Sequence, residues 1–146
     1  MLKGKNILIG ISGGIAAYKT PYLVRLFKLA GASVKVILTD SASQFVSPLT
    51  LATLSENAVP SSFVNEDDQG SVSWNNHVAL ALWADIMVVA PATANTLSKM
   101  AHGQSDNLLL VTYLSAKCPV FIAPAMDLDM YKHKSTKESL DRLVSF

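Results

Sequence analysis

The segment NILIGISGGIAAYKTPYLVRLFKLAGASVKVILT, residues 6–39, decides the fold class of this chain. Its first part, Asn6 to Ser12, is a short apolar run that is typical of a buried strand. Residues Ile15 to Ala30 then carry apolar side chains at helical spacing, and Gly31 ends the helix. Ser33 to Thr39 is a second apolar strand. The segment therefore predicts a right-handed βαβ unit with parallel strands.

The rest of the chain continues this alternation of strands and helices. The predicted elements are helices at Ala42 to Val46 and Pro48 to Ser55, a strand plus an exposed loop in Glu56 to Trp74, a helix at His77 to Ala84, a strand at Ile86 to Ala90, helices at Thr93 to Ala101 and Asn107 to Ala116, a strand at Val120 to Ala123, and a last helix from Ser135. Such alternation predicts an α/β fold with a doubly wound parallel sheet, a flavodoxin/Rossmann-like three-layer sandwich. We expect residues 1–146 to form one domain that is cut short at its C-terminal end, because the last helix has no closing cap.

The composition and net charge limit the kind of molecule that we expect this chain to bind. Of the 146 residues, 50% are hydrophobic and 16% are charged, which predicts a globular domain with a substantial core. The net charge of +1 gives no single-sign field for nucleic acid or a membrane surface, so we expect a small-molecule partner. The absence of a signal peptide and of a disulfide framework predicts a cytoplasmic protein. The single cysteine, Cys118, precedes a buried strand and is predicted to be structural.

Ligands of open parallel sheets bind beyond the carboxyl ends of the strands, so the candidate site residues lie in the loops there. The first loop contains Ser12, Gly13 and Gly14, which allow close backbone approach and present a helix N-terminus to an anion. A simple tight turn is the alternative. The second loop, Thr39 to Ala42, offers hydroxyl groups to a phosphate. Asp40 within it is also suited to capping a helix or to binding the ribose of a dinucleotide.

The third loop, Pro91 to Thr96, has more polar side chains than a helix cap requires. Thr93, Asn95 and Thr96 all lie where a helix begins after a buried strand, which predicts ligand binding. Lys99 is one turn further on, where it either faces a bound anion or is solvated.

The fourth loop and the histidines leave two interpretations open. From the residues alone, Met126 and Met130 are core side chains and Asp127 is a helix cap. His77 begins an almost wholly apolar helix, which suits either an acid–base group or a capping histidine. His102 follows a helix and precedes Gly103, which suits a cation that interacts with the helix dipole, and His133 is predicted to be solvated. No residue spacing indicates a metal site.

Taken together, five motifs resemble the homo-oligomeric flavin-containing cysteine decarboxylases. They are SGGIAAYK at 12–19, NH at 76–77 with WAD at 83–85, APATANT at 90–96, Gly103 with DNLL at 106–109, and PAMDLDMY at 124–131. The resemblance spans nearly the whole chain. It implies FMN as the cofactor, a trimer or an assembly of trimers, and decarboxylation of phosphopantothenoylcysteine in coenzyme A biosynthesis.

The resemblance also implies roles for individual residues. The cofactor-binding residues would be Ser12, Gly13, Gly14, Thr39, Ala42, Thr93, Ala94, Asn95 and Thr96. His77 would be the catalytic histidine, in a site completed by a neighbouring subunit, and the substrate would contact Met126, Asp127 and Met130. In the implied reaction the flavin oxidises the substrate thiol, the resulting thiocarbonyl is the electron sink for loss of carbon dioxide, and the reduced flavin returns its electrons.

This chain differs from the family pattern in two respects. Asp127 and Tyr131 stand where the family usually has asparagine and tryptophan. An ionised Asp127 would repel a substrate carboxylate, so it is either protonated or in contact with the substrate amide N–H. The family's substrate-covering segment, with a cysteine used in the reductive step, lies beyond the last motif, and Cys118 precedes that motif. We therefore expect decarboxylation with a stalled second half-reaction in this chain alone.

Three alternatives stay open on the sequence. The first is a related flavoprotein, either a peptidyl-cysteine decarboxylase or a flavin prenyltransferase, although His77 together with the Met126 to Met130 motif disfavours the prenyltransferase. The second is a non-catalytic flavin-binding or regulatory subunit on the same scaffold. The third is an NAD-binding domain that uses Asp40, which the glycine spacing disfavours.

Overall fold

The computed structural model describes residues 1–146, which form a four-stranded parallel sheet, a two-stranded hairpin and seven α-helices. The strands are β1 (Asn6–Ile11), β2 (Ser33–Leu38), β3 (Val64–Glu66), β4 (Val72–Trp74), β5 (Ile86–Ala92) and β6 (Val120–Pro124). The helices are α1 (Thr20–Leu29), α2 (Pro48–Ser55), α3 (His77–Trp83), α4 (Ala94–Ala101), α5 (Leu108–Ser115), α6 (Leu128–Lys132) and α7 (Lys134–Ser145). None of the helices combines the length and the apolar character that a membrane span requires.

The strand order in the main sheet is β2-β1-β5-β6, and all neighbouring strands are parallel. In the register, Ile7 of β1 pairs with Val34 of β2 on one side and with Ile86 of β5 on the other. The chain thus leaves β1 in one direction and later returns to its opposite side. Such a reversal opens a crevice at the carboxyl ends of β1 and β5.

Two apolar clusters cover the two faces of this sheet. Ile7, Ile9 and Ile11 belong to the cluster that includes side chains from α1 and α2, whereas Leu8 belongs to the cluster with α4 and α5. The alternation along β1 places successive side chains on opposite faces. The sequence prediction of an α/β fold with a doubly wound parallel sheet is therefore confirmed.

The first predicted helix, Ile15 to Ala30, is divided in the structure. A 3-10 helix occupies Ile15–Lys19, and α1 begins only at Thr20, with Pro21 in its first turn. Proline lacks the N–H that a helix interior needs and is tolerated in the first turn, so it marks the true start of the α-helix. The helix predicted at Ala42 to Val46 is likewise a 3-10 helix, at Asp40–Gln44.

The segment Glu56 to Trp74 contains a hairpin rather than the single strand that was predicted. Strands β3 and β4 pair antiparallel, and the Asp67 carboxylate accepts hydrogen bonds from the backbone N–H groups of Gln69 and Ser71 in the turn between them. Gly70 adopts φ +76°, a conformation that glycine adopts without steric cost. Strand β5 also runs further than predicted, to Ala92, and α6 follows Asp127, where the sequence suggested a helix cap but no helix range was predicted.

Candidate active site

A cavity of about 820 Å³ lies at the carboxyl ends of the four main-sheet strands. This volume is in the range of small-molecule and cofactor sites. The loops after β1, β2, β5 and β6 all contribute to its wall. The predicted site residues that line it are Gly13, Gly14, Thr39, Thr93, Ala94, Asn95, Thr96, Met126, Asp127 and Met130.

The first and second loops lie so close together that a side chain at residue 13 would overlap the second loop. A Cβ atom built on Gly13 would lie 2.6 Å from Cβ and 2.9 Å from the carbonyl carbon of Ser41. Both distances are well inside van der Waals contact, so glycine is the one residue that fits without displacement. The Ser41 and Thr39 hydroxyl oxygens are 3.3 Å apart and both residues line the cavity. The two loops therefore present glycine backbone and hydroxyl groups side by side.

Ser12 holds the first and third loops together instead of lining the cavity. Its buried hydroxyl donates a hydrogen bond to the Pro91 carbonyl oxygen at 2.6 Å and accepts one from the Thr93 N–H at 3.0 Å. The side chain that the resemblance assigns to the cofactor is thus engaged within the protein. Ala42, also assigned to the cofactor, is fully buried in the apolar cluster beneath α1 and α2 and does not line the cavity.

Ser12→Ala is expected to lower the free energy of unfolding by about 1–3 kcal/mol, because a buried carbonyl and a backbone N–H each lose a partner. Urea unfolding measures the change. Ser43→Ala is the matched control, since that hydroxyl is exposed and bonds only to the Asp40 carbonyl oxygen. Equal stability of the two variants would contradict a structural role for the Ser12 hydroxyl.

In the third loop, two of the three polar side chains satisfy each other and one is free. Thr93 caps α4, because its hydroxyl oxygen accepts a hydrogen bond from the Thr96 N–H at 3.2 Å and donates to the Thr96 hydroxyl at 3.3 Å. Asn95 is exposed, lines the cavity and makes no side-chain hydrogen bond within the chain. The Ala94 and Asn95 N–H groups lie in the first turn of α4, where no intrahelical acceptor exists. This loop therefore offers an amide side chain and helix N-terminal donors to a ligand.

Four charged side chains line the cavity, and only one of them is cationic. Lys99 forms an ion pair with Asp106 at 2.7 Å, while Asp40 and Asp127 have no cationic partner. The sequence left open whether Lys99 faces an anion or is solvated, and the structure shows it paired with Asp106 at the wall of the cavity. Sequence reasoning did not assign Asp106 to the site. Its seven-residue separation from Lys99 spans the turn at Gly103, so no helical spacing signals the pair.

The fourth loop is hydrogen-bonded to the sheet at its start, and the Asp127 carboxylate within it has no hydrogen-bond partner. The Ala125 N–H donates a hydrogen bond to the Ala92 carbonyl oxygen at 3.1 Å, which extends the pairing of β5 with β6. Met126 is half-buried and packs against the cluster on the α5 face, whereas Met130 is exposed. Asp127 precedes α6, yet its carboxylate accepts no backbone hydrogen bond. The predicted capping role of Asp127 is therefore absent from the structure.

His77 is the first residue of α3 and does not line the cavity of its own chain. Its Nδ1 atom is buried and has no hydrogen-bond partner. The capping role that the sequence left open belongs instead to Asn76, whose side chain accepts from the Ala79 N–H at 3.0 Å. The Trp74 ring meets the imidazole edge-on, with ring centroids 6.2 Å apart. The imidazole of His77 therefore has a buried nitrogen without a hydrogen-bond partner, beside the Trp74 ring.

The other two histidines have structural partners. The Nδ1 atom of His102 lies 2.7 Å from the Ser98 carbonyl oxygen, one turn earlier in the chain. His133 precedes α7, and its Nδ1 atom accepts a hydrogen bond from the Ser135 N–H at 3.2 Å. Neither residue lines the cavity. His77 is thus distinguished from both by its unpaired nitrogen.

Burial raises the pKa of the Cys118 thiol, which packs beside the apolar cluster on the α5 face. At pH 8 the folded protein therefore holds less thiolate at this position than free cysteine does. We expect iodoacetamide to alkylate Cys118 more slowly than free cysteine, and the urea-unfolded chain to react faster than the folded one, as measured by intact mass. Equal rates for folded and unfolded chain would contradict this expectation.

Comparison with known proteins finds relatives that match this chain over nearly its whole length. A family model described as Flavoprotein matches residues 1–146. The coenzyme A biosynthesis bifunctional protein CoaBC of Bacillus subtilis is 46% identical over 143 residues, which is 98% of this chain and 34% of that protein. The chain thus spans about a third of the length of this curated relative.

Among the solved structures that match this chain, two show the shared fold. The FMN-dependent cysteine decarboxylase SpaF matches with a TM-score of 0.86 and 30% identity, over 99% of this chain and 82% of that one. A variant of PPC decarboxylase complexed with pantothenoylaminoethenethiol matches with a TM-score of 0.81 and 33% identity, over 97% of this chain and 78% of that one.

Proposed function

The chain belongs to the Flavoprotein family, and on that premise we propose that its cavity binds FMN and that it decarboxylates phosphopantothenoylcysteine. The observation that carries the proposal is the cavity itself, in which four loops meet at the reversal of strand order. The similarity to CoaBC and to a PPC decarboxylase supports the choice of substrate. A common fold alone would not support it, because one fold serves many functions.

The residues of the cavity fit a flavin phosphate and ring. The backbone of Gly13 lies directly against Ser41, where any Cβ would overlap, and the Thr39 and Ser41 hydroxyls stand at the same place. Neutral donors of this kind suit a phosphate without a lysine or arginine. The free amide of Asn95 has both a donor and an acceptor for the polar edge of a ring. The third loop and the glycines would therefore hold the cofactor.

Bound FMN would supply a reversible two-electron acceptor for the substrate thiol. The chain would bind and orient the substrate, and Ser12 would keep the first and third loops at a fixed separation through its two hydrogen bonds. The half-buried Met126 and the exposed Met130 would exclude water from one side of the substrate. Direct cofactor contact by Ser12 and Ala42, predicted from the resemblance, is not part of this proposal because neither lines the cavity.

His77 is the group that we assign to proton transfer. A buried imidazole nitrogen without a partner is costly unless another molecule supplies one. Because His77 does not line its own chain's cavity, the proposal requires a second copy whose cavity it approaches. The exposed apolar side chains Val78 and Leu82 on the same helix suit such a contact. The trimer and the cytoplasmic setting stay predictions.

A second candidate is a flavin-binding module without decarboxylase activity. Two carboxylates without a cationic partner in the cavity favour it, since they disfavour an anionic substrate. Two measurements separate the candidates. The absorption spectrum after addition of FMN and gel filtration reports flavin binding, and release of carbon dioxide from phosphopantothenoylcysteine reports the reaction. Absence of bound flavin would contradict both candidates, whereas bound flavin without carbon dioxide release would leave only the second.

A further inference from the structure

The imidazole of His77 is not held by a hydrogen bond at its Nδ1 atom, which is buried and has no partner within the chain. In many sites a carbonyl or carboxylate group binds one nitrogen of a proton-transferring histidine, and this bond sets the orientation of the ring. The backbone of His77 is fixed, because the Asn76 cap defines the start of α3. The orientation of the His77 ring therefore depends on the groups that pack against it.

The aromatic ring that packs against His77 is that of Trp74. The two ring centroids are 6.2 Å apart, and the ring planes meet at 68°. Aromatic pairs favour such edge-to-face contacts at centroid separations of about 4.5–7 Å. Rotation of the imidazole about its Cβ–Cγ bond would break this contact. The indole therefore limits the orientations that the His77 ring adopts.

Trp74 is itself held by the hairpin of β3 and β4. It is the last residue of β4 and pairs with Val64 of β3. Its ring stacks on that of Phe63, with centroids 6.1 Å apart and an angle of 15° between the planes. Asn75 closes the hairpin, because its backbone N–H donates to the Phe63 carbonyl oxygen at 2.8 Å and its side-chain amide donates to the Ser62 carbonyl oxygen at 2.7 Å. The hairpin therefore fixes the indole beside the start of α3.

Burial in the core does not explain the position of Trp74. Its side chain is 61% exposed and belongs to neither apolar cluster of the sheet. Phe63, by contrast, is partly buried against the cluster on the α5 face, so the stacked pair connects Trp74 to the core. All the residues of β3 and β4 are exposed. The hairpin thus presents a large ring at the surface, next to the group that we assign to proton transfer.

We propose that Trp74 is a positioning residue for His77, and that the hairpin holds its ring against the imidazole. The inference rests on the proposed function, in which His77 transfers a proton. Trp74 acts through His77 and not by contact with the substrate. With the indole in place, the imidazole keeps the orientation that presents one nitrogen to the reacting group. Without it, the imidazole adopts several orientations, and only a fraction of the molecules are competent for proton transfer.

Three variants separate the ring of Trp74 from the rest of the hairpin. Trp74→Leu removes the ring and keeps an apolar side chain, whereas Trp74→Phe keeps an aromatic ring at the same place. Val72→Ala is the matched control, because Val72 is an exposed apolar residue two positions earlier, on the same face of β4. All three are expected to fold, since both side chains are largely exposed.

The first measurement is the rate of carbon dioxide release from phosphopantothenoylcysteine by the FMN-loaded protein. Trp74→Leu is expected to lower kcat about 3- to 10-fold, which is the factor to which the geometric preference of an aromatic pair corresponds, and to leave KM within about twofold. Trp74→Phe restores the ring contact, so its kcat is expected to lie within about twofold of the wild type. Val72→Ala is expected to match the wild type.

The second measurement follows the imidazole directly, by NMR relaxation of the ring in protein with isotope-labelled histidine. The chain has three histidines, and the His77→Asn variant identifies the signals of His77. Trp74→Leu is expected to lower the order parameter of the His77 ring to the flexible range, below about 0.6, and to leave His102 and His133 unchanged. Trp74→Phe and Val72→Ala are expected to keep the His77 ring rigid. A purely structural role of Trp74 in the hairpin would not move this signal.

The outcomes separate the inference from the proposed function. Equal kcat values of Trp74→Leu and Val72→Ala would overturn the inference, and so would a Trp74→Phe variant as slow as Trp74→Leu. A raised KM at unchanged kcat would also overturn it, because Trp74 would then contact the substrate. Absence of carbon dioxide release from the FMN-loaded wild type would overturn the proposed function. The relaxation measurement would in that case still support or overturn the orienting role of Trp74.

Discussion

Replacing His77 by asparagine is expected to lower the rate of carbon dioxide release from phosphopantothenoylcysteine by about 100-fold or more and to leave FMN bound. Loss of a general acid–base group typically costs this much. FMN binding should persist because His77 does not line the cavity of its own chain. Asparagine retains a polar side chain at the start of α3 and leaves the Asn76 cap untouched. The measurements are carbon dioxide release and the flavin absorbance of the purified variant.

His102→Asn is the control for this experiment. His102 is also a histidine near a helix end, but its Nδ1 atom already faces the Ser98 carbonyl oxygen and it lies outside the cavity. We expect its activity to remain within about twofold of the wild type. Equal activity of the wild type and His77→Asn would remove His77 from the mechanism. A variant that loses its flavin would instead indicate a role in cofactor binding.

Replacing Gly13 by alanine is expected to destabilise the protein by about 1–3 kcal/mol and to remove most of the bound FMN. The added Cβ would overlap Ser41, including its backbone, so one of the two loops must move. Overpacking of this kind costs stability because the neighbour cannot rotate away. The displacement falls on the wall proposed to hold the flavin phosphate. Urea unfolding and the flavin absorbance of the purified variant measure the two effects.

Gly14→Ala provides the matched control. A Cβ at Gly14 would meet only a methyl carbon of Thr93 at 3.5 Å, an ordinary van der Waals contact. Its backbone is extended, with φ −165°, which any residue adopts. We expect stability close to that of the wild type, so Gly14→Ala controls for the effect of the added methyl group on folding. If Gly13→Ala retained FMN like the wild type, the close approach of the first two loops would have no part in flavin binding.

Much of the fold follows from local sequence patterns. Strand β1 and the helices after it were predicted because burial repeats every two or 3.6 residues along a single element. Where an element boundary differs from the prediction, the cause is a local residue that hydrophobic periodicity does not reveal. Pro21 postpones the start of α1, and the turn at Gly70 divides one predicted strand into a hairpin.

The candidate site was predicted less completely than the fold. The four loops were identified because the carboxyl ends of parallel strands meet at one edge of a sheet, and most of the expected residues do line the cavity. Their roles as cofactor and substrate contacts stay predictions. The residues singled out His77 but left an acid–base role and a capping role open, and the resemblance then assigned the catalytic role.

The sequence by itself determined the strands of the parallel sheet, most of the helices between them and the loops that carry the site, because these depend on patterns within short segments. Only the tertiary structure decided how the side chains of those loops are used. Ser12 bonds to Pro91 and Thr93, about 80 positions away, since the pairing of β1 with β5 brings them together. The same folding pairs Lys99 with Asp106 and leaves Asp127 free. Such contacts depend on which elements pack side by side, and the periodicity of residues along the chain does not give that information.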